Sequence, residues 1–231
     1  MRILAVSLDL DDTLWPVEPS IAAAERQLDD WLKAHHVAVA AAWPVPAMRS
    51  LREQVAKERP DLAHDFTAQR MLTLERAFAT CGFGDEHVDA AFEVYHAARN
   101  RVDCYADALP ALAALAARVP LVSISNGNAD LGRIGLRHHF VHCISAREFG
   151  IAKPSAEIFR HACARLGIAP EHVLHVGDDA VLDVRGARAA GLRTAWLNRS
   201  AAAWPADEAG TPADIEIREL GELLQWIGQG T

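Results

Sequence analysis

Ile3-Leu4-Ala5-Val6-Ser7-Leu8-Asp9-Leu10-Asp11-Asp12-Thr13-Leu14-Trp15 decides how the chain is read. An apolar run short enough to be a buried strand is cut off by three carboxylates within four positions, which repel one another. A divalent cation is the simplest reason for them. Ligands of an open parallel sheet bind beyond the carboxyl ends of its strands, where Asp9 and Asp11 fall. Alternation along the strand turns Asp9 and Asp11 to one side and returns Leu10 to the core. Read alone, the same residues also suit a solvated acidic turn that caps a helix.

Working outward, three later apolar runs end in complementary chemistry. Pro120-Leu121-Val122-Ser123-Ile124-Ser125-Asn126-Gly127-Asn128 closes on a hydroxyl, an amide and a flexible backbone, a combination that seats a phosphate or simply makes a turn. Gly150-Ile151-Ala152-Lys153-Pro154-Ser155 places an ammonium before a proline and a helix start, which orders its stem. His172-Val173-Leu174-His175-Val176-Gly177-Asp178-Asp179 ends in two carboxylates, and Asp183 follows about one helical turn on. Acidic residues at a helix N-terminus are favourable by about 0.3–1 kcal/mol. That alone does not account for two strands that both end this way.

Between Trp15 and about Asp103 the pattern is helical. Ile21, Ala24, Leu28, Trp31 and Leu32 recur at helical spacing, a second amphipathic stretch spans Met48 to Glu58, a third carries Phe66, Met71, Leu74 and Phe78, and a fourth runs from about Asp85 to Arg99. The expected organisation is a core of residues 1–15 and 104–231 with a four-helix insertion at 16–103. Such an insertion beside an active-site turn is a candidate lid. Arg70, Arg99 and Arg101 are its candidate contacts to an anionic substrate, with ordinary solvent exposure as the competing reading. The stretch up to Pro212 reads as loop, Ile215-Glu216-Ile217 as a last strand and Leu220 to Ile227 as a last helix.

Composition bounds the function. The chain has 231 residues, 51% of them hydrophobic, enough for a full α/β core and one insertion. Its 23 Lys and Arg against 31 Asp and Glu give a net charge of −8 with no basic stripe, which argues against nucleic acid and anionic membrane surfaces as partners. No apolar run approaches the roughly 20 residues of a membrane span, and the first strand is interrupted too soon to be a signal peptide. A cytoplasmic location and a monomer or weak homo-oligomer are expected. Cys81, Cys104, Cys143 and Cys163 lack C-x-x-C spacing and read as reduced thiols. His138, His139 and His142 show no metal-ligand spacing.

Taken together and in order, Asp9-Leu10-Asp11-Asp12-Thr13, Ser125-Asn126-Gly127, Lys153-Pro154 and Gly177-Asp178-Asp179 with Asp183 resemble the four motifs of the haloacid dehalogenase-like (HAD) hydrolase superfamily, phosphatase subgroup. The resemblance covers the whole chain. It implies a Rossmann-like α/β core with a central parallel sheet, a four-helix cap after the first strand and Mg²⁺. It implies that Asp9 is the nucleophile, Asp11 the general acid and base, and that Ser125, the Asn126 backbone, Gly127 and Lys153 hold the phosphoryl group. Asp9, the Asp11 carbonyl and Asp178 would ligate Mg²⁺, with Asp179, Asp183 and Thr13 orienting the ligands. Leu121–Asn128, Leu174–Asp179 and the stretch Asp65–Arg70 further resemble the bacterial branch that dephosphorylates 5-amino-6-(5-phospho-D-ribitylamino)uracil and FMN. The expected partner is therefore a small phosphorylated metabolite; a phosphosugar or nucleotide monophosphate, and transfer to an alcohol, stay open. The rival enzyme is a 2-haloacid dehalogenase, a branch with no second Asp two residues on, because a halide leaves without a proton. The non-enzyme rival is a silent HAD-fold binding protein, which would have no use for Asp9, Asp11 and Lys153 together.

Overall fold

In the computed structural model, which describes residues 2–205 and 212–228, six strands form one parallel sheet. They are β1 (Ala5–Leu8), β2 (Leu121–Ser125), β3 (His142–Ser145), β4 (Val173–Gly177), β5 (Arg193–Leu197) and β6 (Ile215–Ile217), in the order β3-β2-β1-β4-β5-β6. Both β1 and β2 are buried along their whole length, as a strand covered on both faces must be. Register sets Leu8 beside Ser123 on one neighbour and Val176 on the other. Because all strands run the same way, the ends of β2, β1 and β4 open side by side at one edge.

The chain divides into two compact units. One comprises Val17–Val102 with Asn128–Ile134; the other takes the described residues of Met1–Pro16, Asp103–Gly127 and Gly135–Thr231. The helical unit contains α1 (Val17–His35), α2 (Val37–Ala42), α3 (Val45–Glu58), α4 (Phe66–Thr80) and α5 (Val88–Arg99). Four of these fall where helical spacing was read. The fifth, α2, has the sequence VAVAAA, six residues with no polar face to give it a period. Ala24, Leu28 and Leu32 of α1 pack at i, i+4, i+8 against Leu51, Leu74, Phe78 and Tyr95. Asp65 caps α4 by accepting the Ala68 amide at 2.8 Å.

Asn128–Ile134 departs from the expected boundary, which put everything after 104 in the core. Its contacts explain the difference. Asp130 N donates to Asn100 Oδ1 at 2.7 Å, His96 Nε2 lies 3.0 Å from Asn128 O, and Arg133 pairs with Glu93 at 2.5 Å.

After α6 (Ala108–Ala116) of the sheet unit comes α7 (Leu131–Ile134) of the helical unit, and α8 (Ala146–Phe149), α9 (Ala156–Leu166), α10 (Gly186–Ala189) and α11 (Leu223–Gly228) complete the sheet unit. Ile158, Phe159 and Ala162 of α9 pack with Ala5, Val122, Ile124 and Val173 of the sheet. Ser155 caps α9, and Gly167 ends it in the left-handed region at φ 66°. The segment carrying Asp183 is a π-helical turn, Ala180–Arg185, which runs into α10. None of the four cysteines is in a disulfide. Among the described residues no helix is long and apolar enough to cross a membrane. The loop expected up to Pro212 includes 206–211, which lie outside the described residues.

Close packing at the start of α10 gives a test. A Cβ on Gly186 would lie 2.7 Å from the Phe159 ring and 2.9 Å from Pro154 O. Gly186→Ala should therefore lower the melting temperature, a cost of about 1–3 kcal/mol from overpacking that outweighs the roughly 1 kcal/mol helix gain of alanine. Thermal unfolding followed by circular dichroism reads the sign.

Candidate active site

The polar ends of β1, β2 and β4 meet, and the residue after each strand carries the chemistry. Asp9 follows Leu8, its amide bonded to Val176 O at 2.9 Å, and the residue is 7% exposed. Lys153, 4% exposed, sets Nζ 2.5 Å from Asp9 Oδ1 and 2.6 Å from Asp183 Oδ1. The Lys153–Pro154 peptide bond is cis. Asn126 fixes the lysine's main chain: its Oδ1 accepts Lys153 N at 2.8 Å and its Nδ2 donates to Lys153 O at 3.0 Å. That use of the side-chain amide was invisible in the sequence, where it read as part of a phosphate seat.

Asp183 is the hub of the buried charges. Oδ1 takes Lys153 and lies 3.1 Å from His175 Nε2, and Oδ2 accepts the Asp179 amide at 3.1 Å. His175 Nδ1 lies 2.8 Å from Ser7 Oγ. Since a carboxylate only accepts, Nε2 carries the imidazole proton and Nδ1 accepts from the Ser7 hydroxyl. Burial holds the His175 imidazole below its ordinary range despite Asp183, so it is neutral. Gly177 makes this approach feasible, because a Cβ there would collide with the Asp183 carboxylate. His175 is the residue that sequence reasoning passed over. Its signal was a histidine inside an otherwise apolar buried strand, which needs polar partners.

Asp178 accepts from Thr13 Oγ1 at 3.2 Å, and its carbonyl accepts from Trp196 Nε1 at 2.7 Å. Asp179 uses its carboxylate as a cap on the π-helical turn, accepting Val181 N and Leu182 N at 2.7 and 2.8 Å. Asp11 Oδ1 accepts from Trp15 Nε1 at 2.9 Å. Its Oδ2 occupies the space that a Cβ on Gly127 would need, so only glycine lets the second carboxylate come this close to the end of β2. Ser125 is buried, and its Oγ accepts the Gly127 amide at 3.0 Å.

Arg70 is a different case. It is buried inside the helical unit, its guanidinium 4.2 Å from the Tyr95 ring centroid, donating to Tyr95 Oη at 3.2 Å and 4.0 Å from Glu25. Arg99 is also buried there, donating to Ser20 Oγ at 3.2 Å, while Arg101 is exposed. Neither Arg70 nor Arg99 is the solvent-facing charge that the competing reading expected: Arg70 packs on Tyr95 beside Glu25, and Arg99 bonds Ser20.

Charge is out of balance at the sheet edge. Burial would depress the Lys153 ammonium, but Asp183 and Asp9 outweigh it and hold it above the ordinary lysine range. Burial would raise Asp183, but Lys153 and His175 outweigh it and hold it low. Burial, with Asp183 and Asp178, raises Asp9 against the pull of Lys153, and burial with Asp183 and Asp12 pushes Asp178 up to about 7. Carboxylate oxygens of Asp9, Asp178 and Asp183 lie within 4.8 Å of one another. Three hard oxygen donors facing one ammonium fit a divalent cation such as Mg²⁺. Asp183 joins this cluster, although its place in the sequence suggested only an orienting part; Asp11 contributes no side-chain oxygen to it.

Fold and site together are those of a hydrolase that works at the carboxyl ends of a parallel sheet. The haloacid dehalogenase-like hydrolase family profile matches residues 3–191, and the chain belongs to this family. It is 32% identical over 203 residues to 5-amino-6-(5-phospho-D-ribitylamino)uracil phosphatase YigB of Escherichia coli K12, covering 85% of this chain and 84% of that protein. It is 34% identical over 161 residues to phosphoserine phosphatase of Thermus thermophilus, 67% of this chain and 64% of the relative. The crystal structure of 2-haloacid dehalogenase from Pseudomonas syringae pv. tomato DC3000 matches the whole of both chains with a TM-score of 0.91 at 34% identity. Phosphatases and dehalogenases both stand among its relatives, so the choice between them rests on the site.

Asp178 gives a pH test. A carboxyl whose proton is held up to about 7 in the fold contributes stability that is present in acid and lost as pH rises through 7. In EDTA at pH 8, Asp178→Asn should raise the melting temperature, by the equivalent of about 1–3 kcal/mol after discounting for solvent screening. At pH 5, between the ordinary carboxylate value and 7, the gain should fall to about a third, and below pH 4 it should vanish. Parallel melts of the two proteins at each pH check it.

Proposed function

We propose that the protein is a Mg²⁺-dependent phosphoric monoester hydrolase that works through an aspartyl-phosphate on Asp9. The observation that carries this reading is Asp11. A second carboxylate, held by Trp15 Nε1 and brought against Gly127 at the end of β2, has a use when an alkoxide leaves and needs a proton. A halide needs none.

In the proposed reaction Asp9 Oδ attacks phosphorus while Asp11 gives its proton to the departing alcohol oxygen. Asp11 then takes a proton from water, which attacks the phosphoryl group and frees Asp9. Splitting the hydrolysis this way replaces one hard displacement by two easier ones. Lys153, pinned by Asn126 and Asp183, balances charge on the transferring oxygens, and the Ser125 hydroxyl, itself bonded by the Gly127 amide, and the Asn126 backbone hold them. Mg²⁺, held by Asp9, Asp178 and the Asp11 carbonyl, would supply further positive charge beside the phosphoryl oxygens. The two acids need different protonation states. The reaction asks Asp9 to attack as the carboxylate, which contact with Lys153 favours, and Asp11 to bring the proton.

For the substrate we infer a flavin precursor, 5-amino-6-(5-phospho-D-ribitylamino)uracil, or FMN. Support comes from the similarity to the Escherichia coli phosphatase across 85% of this chain. The reaction is tested by phosphate release from a panel that includes both esters, with Mg²⁺ and with EDTA, alongside chloride release from 2-chloropropionate. Mg²⁺-dependent phosphate release is expected; chloride release indifferent to EDTA overturns the reading. Turnover of other esters alone keeps the chemistry and removes the flavin substrate.

Two substitutions divide the roles. Asp9→Asn should abolish phosphate release in a protein that circular dichroism still shows folded, with a lowered melting temperature because buried Lys153 loses one of its two carboxylate partners. Asp11→Asn should lower kcat for an alkyl phosphate about 10²–10⁴-fold. The loss should be smaller for p-nitrophenyl phosphate, whose leaving group needs less protonation. Equal losses on both esters would show that Asp11 is not the acid.

A further inference from the structure

Beyond β5, and beyond residue 191 where the family match ends, Arg199 reaches back to the turn that carries the nucleophile. Its Nη2 donates to Thr13 O at 2.9 Å, and its two terminal nitrogens grip Asp107 at 2.9 and 3.2 Å. The guanidinium lies 3.9 Å from the Tyr105 ring centroid. Asp107 is anchored in turn by the Leu220 amide at 2.8 Å. Burial would raise the Asp107 carboxyl, but its bonds to Arg199 and Leu220 outweigh it and keep it ionised.

The turn is held by its own backbone bonds, Asp12 N to Trp15 O and Leu14 N to Leu10 O, both at 2.8 Å, and by Arg199 from outside. Asp12 sits in the left-handed region at φ 57°, a conformation that costs a non-glycine residue about 1–2 kcal/mol and persists only where surrounding bonds impose it. The next residue is Thr13, fully buried, whose carbonyl is held by Arg199 and whose hydroxyl holds Asp178. One residue thus links the guanidinium to a carboxylate of the candidate cation site.

We propose that Arg199 is a positioning residue that acts through Thr13 to fix Asp178, and so sets the affinity of the site for Mg²⁺. This rests on the Mg²⁺ reading above but not on the identity of the ester. A guanidinium is suited to the task because its planar fork binds Asp107 with both terminal nitrogens while one of them reaches the carbonyl, which an ammonium does not reproduce.

The experiment measures Mg²⁺ binding directly, by calorimetry and by the rise in melting temperature with Mg²⁺ concentration, so no substrate is involved. Arg199→Lys keeps the charge and loses the fork; Thr13→Val keeps the shape and loses the hydroxyl, and serves if the arginine variant fails to fold. Each should weaken Mg²⁺ binding about 10–100-fold, the range found when groups behind metal ligands are removed. The double variant should lose little more than the worse single one, because both act in one chain of contacts. In kinetics at saturating Mg²⁺, KM for the ester should stay near wild type.

A lower melting temperature with unchanged Mg²⁺ affinity would make Arg199 a structural clamp only and overturn the proposal. Additive losses in the double variant, or a wild-type protein that takes up no Mg²⁺, also overturn it. Wild-type protein that binds Mg²⁺ but hydrolyses no ester would instead remove the proposed reaction and leave the role of Arg199 intact.

Discussion

One ammonium group, Lys153 Nζ, stands 2.5 Å from Asp9 and 2.6 Å from Asp183 in a site nearly closed to water. Burying charge costs several kcal/mol per ion, and breaking a buried pair by removing one partner costs about 3–5 kcal/mol. The surrounding structure can be understood as what makes that contact possible. Asn126 holds the lysine's main chain at both its N–H and its carbonyl. His175 and the Asp179 amide also bond Asp183, and Ser7 holds His175 in one tautomer. Four elements, β1, β2, β4 and the π-helical turn, converge on one charge.

This arrangement explains why the nucleophile is usable. A carboxylate in a dry site is driven to take up a proton; Lys153 opposes that, and a bound cation would oppose it further. Asp11 lies outside the contact of Lys153 with Asp9 and Asp183, and the Trp15 indole N–H is one of its partners. Two carboxylates two residues apart thus sit in different electrostatic surroundings, which is what separate duties as nucleophile and acid require.

Much of the frame was legible in the sequence because it depends on local pattern. Short apolar runs closed by polar residues marked the strands, and helical spacing marked α1, α3, α4 and α5. What was hidden depends on register between distant segments. Nothing near Asn128–Ile134 announces that Glu93, His96 and Asn100 will bind it. Likewise, Asn126 looks like a turn residue until Lys153 is folded against it, and Arg199 looks like a surface charge until Thr13 and Asp107 meet it. Arg70 is another such residue. An arginine on an amphipathic helix suggests a contact to an anion, yet Tyr95 and Glu25, from two other helices, bury it.

Covalent chemistry at Asp9 is the centre of this account, and it is open to direct observation. Acid quenching during turnover of a phosphate ester, followed by peptide mass spectrometry, should find a phosphoryl adduct on the peptide that contains Asp9. The adduct should build up in Asp11→Asn with p-nitrophenyl phosphate, where water attack is slowed. An adduct on another residue, or an alkyl ester on Asp9 formed from 2-chloropropionate, would contradict it.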